Sequence, residues 1–124
     1  MKRNTDLGLL ILRIGMSGLM LTHGIDKLLA FIDGNTAVAG NPLGVGTLIT
    51  SILVIIGEVV GPILVLIGFK TRIGALLTAI TMAVAAFIVH GGDPLAKKEL
   101  ALLYLFGFLA IAIMGAGKLS VDKK

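Results

Sequence analysis

Residues 73–92 and 100–117 contain no Asp, Glu, Lys or Arg. Runs of that length match the ~20 helical residues that cross a bilayer core of about 30 Å. Two further apolar stretches, 7–30 and 46–68, have the same reach but carry isolated charges. Four spans, at about 7–30, 46–68, 73–90 and 99–117, use nearly all of the 124 residues and leave no room for a soluble domain. A hydrophobic content of 56% and a mean hydropathy of +1.04 agree. The expected fold is all-α, a four-helix transmembrane bundle in which residues 1–124 form one membrane domain.

The first apolar stretch follows Lys2 and Arg3 but is interrupted by Arg13, and no small-x-small cleavage site clearly follows it. It therefore reads as a retained span rather than a signal peptide. Residues 31–45 hold Gly34, Gly40, Asn41, Pro42 and Gly44, which is loop chemistry. The FKTR linker at 69–72 is long enough only for a tight turn between antiparallel helices. Asp93 followed by Pro94 reads as an N-cap with proline in the first turn of the last span.

Orientation follows from Lys and Arg near the span ends. Lys2, Arg3, Lys70, Arg72, Lys118, Lys123 and Lys124 gather on one side, against Lys27, Lys97 and Lys98 on the other. That bias places both termini in the cytoplasm. The net charge of +4 thus belongs to topology and anionic lipid rather than to nucleic acid. The absence of Cys excludes disulfides, thiol exchange and Cys-ligated metals within the chain.

The spans are not uniformly apolar. At 100° per residue, Arg13, Met16, Ser17, Met20, His23, Gly24 and Lys27 fall within about 120° of arc on the first span. Such a stripe must turn away from lipid, because a charge at mid-membrane costs several kcal/mol unless paired or wet. At ~1.5 Å per residue, Arg13 lies about 10 Å and Glu58 about 15 Å inside the same edge. The expectation is an Arg13–Glu58 ion pair, read either as a functional centre or as a device that fixes helix register. Gly57 and Gly61 form a small-x-x-x-small pair that invites close approach by another helix. Pro62 has no N–H, so the Glu58 carbonyl is expected to need a donor from elsewhere.

At the opposite end His23 and Lys27 of span one, His90 ending span three and Glu99 opening span four share a level. They read as an outer mouth able to donate protons or hydrogen bonds. Their scattered spacing argues against a metal, and none is expected. Ala79, Ala83, Ala86 and His90 share a face of span three, which suggests close helix packing. Met16 and Met20 read as core filler or as a soft wall for a flat apolar ligand. Tyr104 reads as an interfacial residue, or else as one whose hydroxyl needs a partner.

Together, LRIGMSGLMLTHGIDKL at 12–28, GEVVGPILVLIGFKTRIGALL at 57–77, His90, ELALLYL at 99–105 and GAGKLSVD at 115–122 resemble the DoxX family of small bacterial membrane proteins. The resemblance implies a four-helix membrane bundle in the bacterial inner membrane. It carries over Arg13, His23, Gly24 and Lys27, then Glu58 and Gly61, then Gly68 and Arg72 at the turn, then Glu99, Gly115, Gly117, Ser120 and Asp122. Gly-Ala-Gly at 115–117 stands where the family pattern has Gly-Pro-Gly, which should loosen the helix end slightly. The family takes its name from a membrane subunit of a thiosulfate:quinone oxidoreductase, so the resemblance implies quinone-linked redox chemistry; no covalent cofactor is expected.

The first functional expectation is therefore a quinone-interacting component of an oxidoreductase, itself a non-catalytic subunit or an enzyme. His23 and Glu58 are its candidate proton-transfer residues, and Arg13, His23, Lys27, Glu58, His90 and Glu99 its candidate ligand contacts. Gly57, Gly61, Pro62 and Arg72 are the expected structural residues. With no Cys and no paired intramembrane His, electrons would come from a redox partner protein; self-association is the other expected partnership. The alternatives are a small proton-coupled transporter built on Glu58 and a structural membrane subunit for a soluble partner.

Overall fold

The computed structural model describes residues 2–37, 40, 43–89 and 91–122. Among them the chain is helical with no strand. The first helix runs Lys2–Ile32, the second Thr47–Ile67 and the third Thr71–Val89, and the fourth Leu95–Met114. The first three are long and apolar enough to cross a membrane. The fourth has 20 residues and carries Lys97, Lys98 and Glu99 in its first turns. Each helix packs against the next, and the first also contacts the fourth.

Burial is inverted relative to a water-soluble protein. Ile11, Leu103, Phe106 and Ile113 face outward, whereas Arg13, Ser17, Ser51, Glu58, Thr71 and Thr78 are buried. Lipid accepts the first set, and interior hydrogen bonds must satisfy the second. Among the described residues, Ser17 Oγ is the buried side-chain polar atom without a partner. Apolar packing centres on Met20, Val65, Ala79, Met82, Tyr104, Phe108 and Ile111. The buried Ala79 and Ala86 bring the third helix close to its neighbours as their spacing implied.

Two helices contain a π turn, at Ile56–Val60 and at Ala85–Val89. The first explains how the membrane interior tolerates Pro62. The Gly61 N–H donates to the Ile56 carbonyl, five residues back. In that register the carbonyl facing the missing Pro62 N–H is that of Gly57, not of Glu58 as α-helical counting implied. The Thr78 hydroxyl of the third helix donates to it at 2.6 Å. Gly57 and Gly61 allow this approach, since a Cβ at either would collide with the side chain of Thr81 or Thr78.

The turn between the second and third helices is clamped from afar. Gly68 is left-handed (φ 74°), and the Gly68 and Phe69 N–H groups donate to the Val65 and Leu64 carbonyls in a Schellman arrangement. Residues 115–122 leave the fourth helix and fold back over this turn, where the Asp122 N–H donates to the Gly68 carbonyl at 2.7 Å. The Asp122 carboxylate accepts from the Lys70 and Thr71 N–H groups and the Thr71 hydroxyl. It caps the third helix as an N-cap residue would, but from 51 residues away. The fourth helix itself starts one residue later than Asp93–Pro94 implied, with extended Pro94 in the cap position. Arg72 is exposed at the start of the third helix.

Candidate functional site: an intramembrane Lys27–Glu58 pair between two cavities

The expected Arg13–Glu58 pair does not form. Arg13 is 1% exposed and spends its guanidinium on four carbonyls, those of Val65, Leu66, Ala116 and Leu119, at 2.9–3.1 Å. Val65 and Leu66 lie among the last four carbonyls of the second helix, of which that of Val65 also accepts from the Gly68 N–H, and a cation suits that end of the helix dipole. Arg13 joins the first helix, the end of the second and the tail. It lines neither cavity described below.

Glu58, 3% exposed, pairs instead with Lys27. The Lys27 Nζ donates to both carboxylate oxygens, at 3.0 and 2.8 Å. Helix geometry accounts for this choice. Side chains lean toward the N-terminus of their own helix. The first and second helices are antiparallel, so Lys27 and Glu58 lean toward each other while Arg13 and Glu58 lean apart. Gly24 lets the backbones meet at this level, since a Cβ there would collide with the Glu58 carbonyl and the Val59 side chain. The π turn at Ile56–Val60 carries Glu58 inward, where Gly57, Glu58 and Val59 are all buried.

Two cavities share Lys27, Glu58 and Ala85. The larger, about 370 Å³, lies between the second and third helices and is walled mainly by aliphatic side chains such as Leu53, Val54, Ile80 and Val84. The smaller, about 180 Å³, is bounded by His23, Tyr104, Met20, Met82 and Ala101. The exposed His23 meets the Tyr104 ring edge-on, with centroids 6.0 Å apart.

Of the candidate ligand contacts, the structure thus brings together His23, Lys27 and Glu58. Glu99 is exposed at the start of the fourth helix and lines neither cavity. His90 lies outside the described residues. Among the described residues no cluster of three His, Asp or Glu could hold a metal ion. The sequence reading missed Thr78 as the donor that accommodates Pro62, and Tyr104 as a wall of the smaller cavity. Pro62 was the usable signal for the first, since a proline within a span requires a donor from a neighbour.

The DoxX family model matches residues 8–91, which include Arg13, the Lys27–Glu58 pair and the 68–71 turn but not the tail carbonyls that Arg13 also holds. The chain is similar to an uncharacterized protein of Haemophilus influenzae, 33% identical over 94% of this chain and 89% of that one. It is also similar to the inner membrane protein YqjF of Escherichia coli, 33% identical over 99% of this chain and 95% of that one. No solved structure matches it significantly. With its long apolar helices, the protein is integral to the inner membrane. A paired lysine and glutamate held inside apolar spans by Gly24 and a π turn is thus the interior of a member of the DoxX family.

Proposed function

We propose that this protein is the quinone-binding membrane component of an oxidoreductase system, with four spans and both termini in the cytoplasm. The observation that carries the reading is a single charged pair, Lys27–Glu58, set in the wall of an otherwise mostly aliphatic cavity of about 370 Å³. Such a chamber fits a flat apolar ring whose carbonyl needs one fixed polar contact. An ammonium has three N–H groups. Glu58 engages Lys27 through two contacts, which leaves a donor for a ligand carbonyl. Reduction of the quinone to hydroquinone takes two electrons and two protons. A redox partner protein supplies the electrons, and Glu58 and His23 pass the protons. The seven-to-three bias of Lys and Arg between the two ends supports the topology.

A proton-coupled exporter would use Glu58 to hold a cationic substrate, a place Lys27 already takes. The structural-subunit reading suits the Arg13 end of the molecule, which is all architecture, but leaves the two cavities without a use.

Thermal unfolding of the detergent-solubilised protein with a short-chain quinone tests the reading. A ligand at 100 times its Kd adds about 2.7 kcal/mol, so a shift of several degrees is expected for the native chain and none for Lys27→Met, which lacks the donor. No shift for the native chain at saturating quinone overturns the reading.

A further inference from the structure

The two cavities meet at one ion pair but differ in what walls them. The larger offers the aliphatic side chains of the second and third helices. The smaller offers an exposed imidazole, His23, and the ring of Tyr104 beside Met20, Met82 and Ala101. A water needs about 10–15 Å³ of such space and two or more polar partners. The smaller cavity, about 180 Å³, has both. Lys27 spans the two environments, its side chain 37% exposed while that of Glu58 is 5% exposed. The groups able to hold or move a proton here are His23 and Lys27 from the first helix, Glu58 from the second and Tyr104 from the fourth. The third helix contributes Met82 and Ala85 to this wall.

We propose that the smaller cavity is the aqueous proton entrance of Glu58, separate from the larger, mainly aliphatic chamber. The Lys27–Glu58 pair is then the gate between water and the apolar chamber. A proton carried by a hydronium ion or by the His23 imidazolium moves to a Glu58 carboxylate oxygen. Water or neutral imidazole is left behind, and the ammonium of Lys27 is released from its partner without changing its own protonation. The chamber's ligand rests on the preceding reading, but the entrance is tested without any quinone.

Carbodiimides activate a protonated carboxyl, and the neighbouring Lys27 amine then closes an amide to Glu58. The carbodiimide leaves as its urea, and the protein loses one water. The full chain in detergent is treated at mildly acid pH with a water-soluble or a lipid-soluble carbodiimide, and the Lys27–Glu58 cross-link is read by peptide mass spectrometry. Both reagents are expected to produce it in the native chain. Ala101→Phe, which fills only the smaller cavity, should abolish the cross-link by the water-soluble reagent and spare the other. Val84→Phe, on the larger cavity alone, should do the reverse. If Ala101→Phe does not fold, Leu100→Trp on the same wall carries the same expectation. Unchanged labelling by the water-soluble reagent, or equal loss with both reagents in one variant, overturns the separate entrance. A quinone-free cross-linking pattern as expected, with no quinone shift in melting, would instead leave the entrance standing and remove the quinone.

Discussion

Lys27 and Glu58 meet through two contacts, at 3.0 and 2.8 Å, although they sit on different helices and only one of them is well buried. Removing one partner leaves the other without compensation in a low-dielectric site. Lys27→Met should therefore destabilise the fold by about 3 kcal/mol, toward the lower end for a broken buried pair because Lys27 is partly exposed. Replacing both residues, Lys27→Met with Glu58→Leu, should recover much of that loss. Denaturant unfolding of the two single variants and the double variant checks the coupling, and simple additivity would mean that the pair contributes nothing as a pair.

Arg13 makes a separate prediction because its partners are carbonyls. Lysine has three donors from one nitrogen and cannot span four acceptors spread over two chain segments. Arg13→Lys should loosen residues 115–122 and cost about 2–3 kcal/mol, with charged hydrogen bonds at about 1.5–3 kcal/mol each and some of them retained. The tail of the variant should be cut by protease faster than in the native chain. Quinone-dependent melting shifts should persist, since Arg13 lines neither cavity.

Thr78→Val keeps the shape of the side chain but removes the donor to the Gly57 carbonyl. A buried carbonyl left unsatisfied costs about 1–3 kcal/mol, and the π turn that turns Glu58 inward loses its tie. Thr78→Ser should be close to native. Measured stability of the two variants separates hydroxyl loss from packing loss, and equal destabilisation by Val and Ser would refute the assignment.

Gly24→Ala adds a methyl where the first helix touches the Glu58 carbonyl. The helices must separate, at a cost of about 1–3 kcal/mol as for other overpacked sites. Gly8→Ala, at a position with open space, should be nearly neutral. Parallel melting curves of the two variants test whether close approach, rather than glycine itself, is what Gly24 provides.

The first three spans and the polar stripe were legible because apolar runs and a 100° repeat are properties of the sequence alone. Pairing was not. The depth estimate placed Arg13 near Glu58 from Cα heights but left out the lean of side chains toward each helix N-terminus. Nor does the sequence show that residues 115–122 return to the bundle, where the Ala116 and Leu119 carbonyls bind Arg13 and Asp122 caps the third helix. Contacts 103 or 106 residues apart leave no local pattern. Gly57, Gly61 and Pro62 announced a special place in the second helix. They could not say that the register would shift and that Gly57, rather than Glu58, would need the outside donor.

The most direct test of the Lys27–Glu58 site is photolabelling of the full chain with an azido-quinone, followed by peptide mapping. Adducts should concentrate on Leu53, Val54, Ile80 and Val84, which wall the larger cavity, and should be displaced by unlabelled quinone and lost in Lys27→Met. Adducts spread over outward-facing side chains such as Ile11, Leu103 and Ile113, undisplaced and unchanged in Lys27→Met, would contradict an interior quinone site.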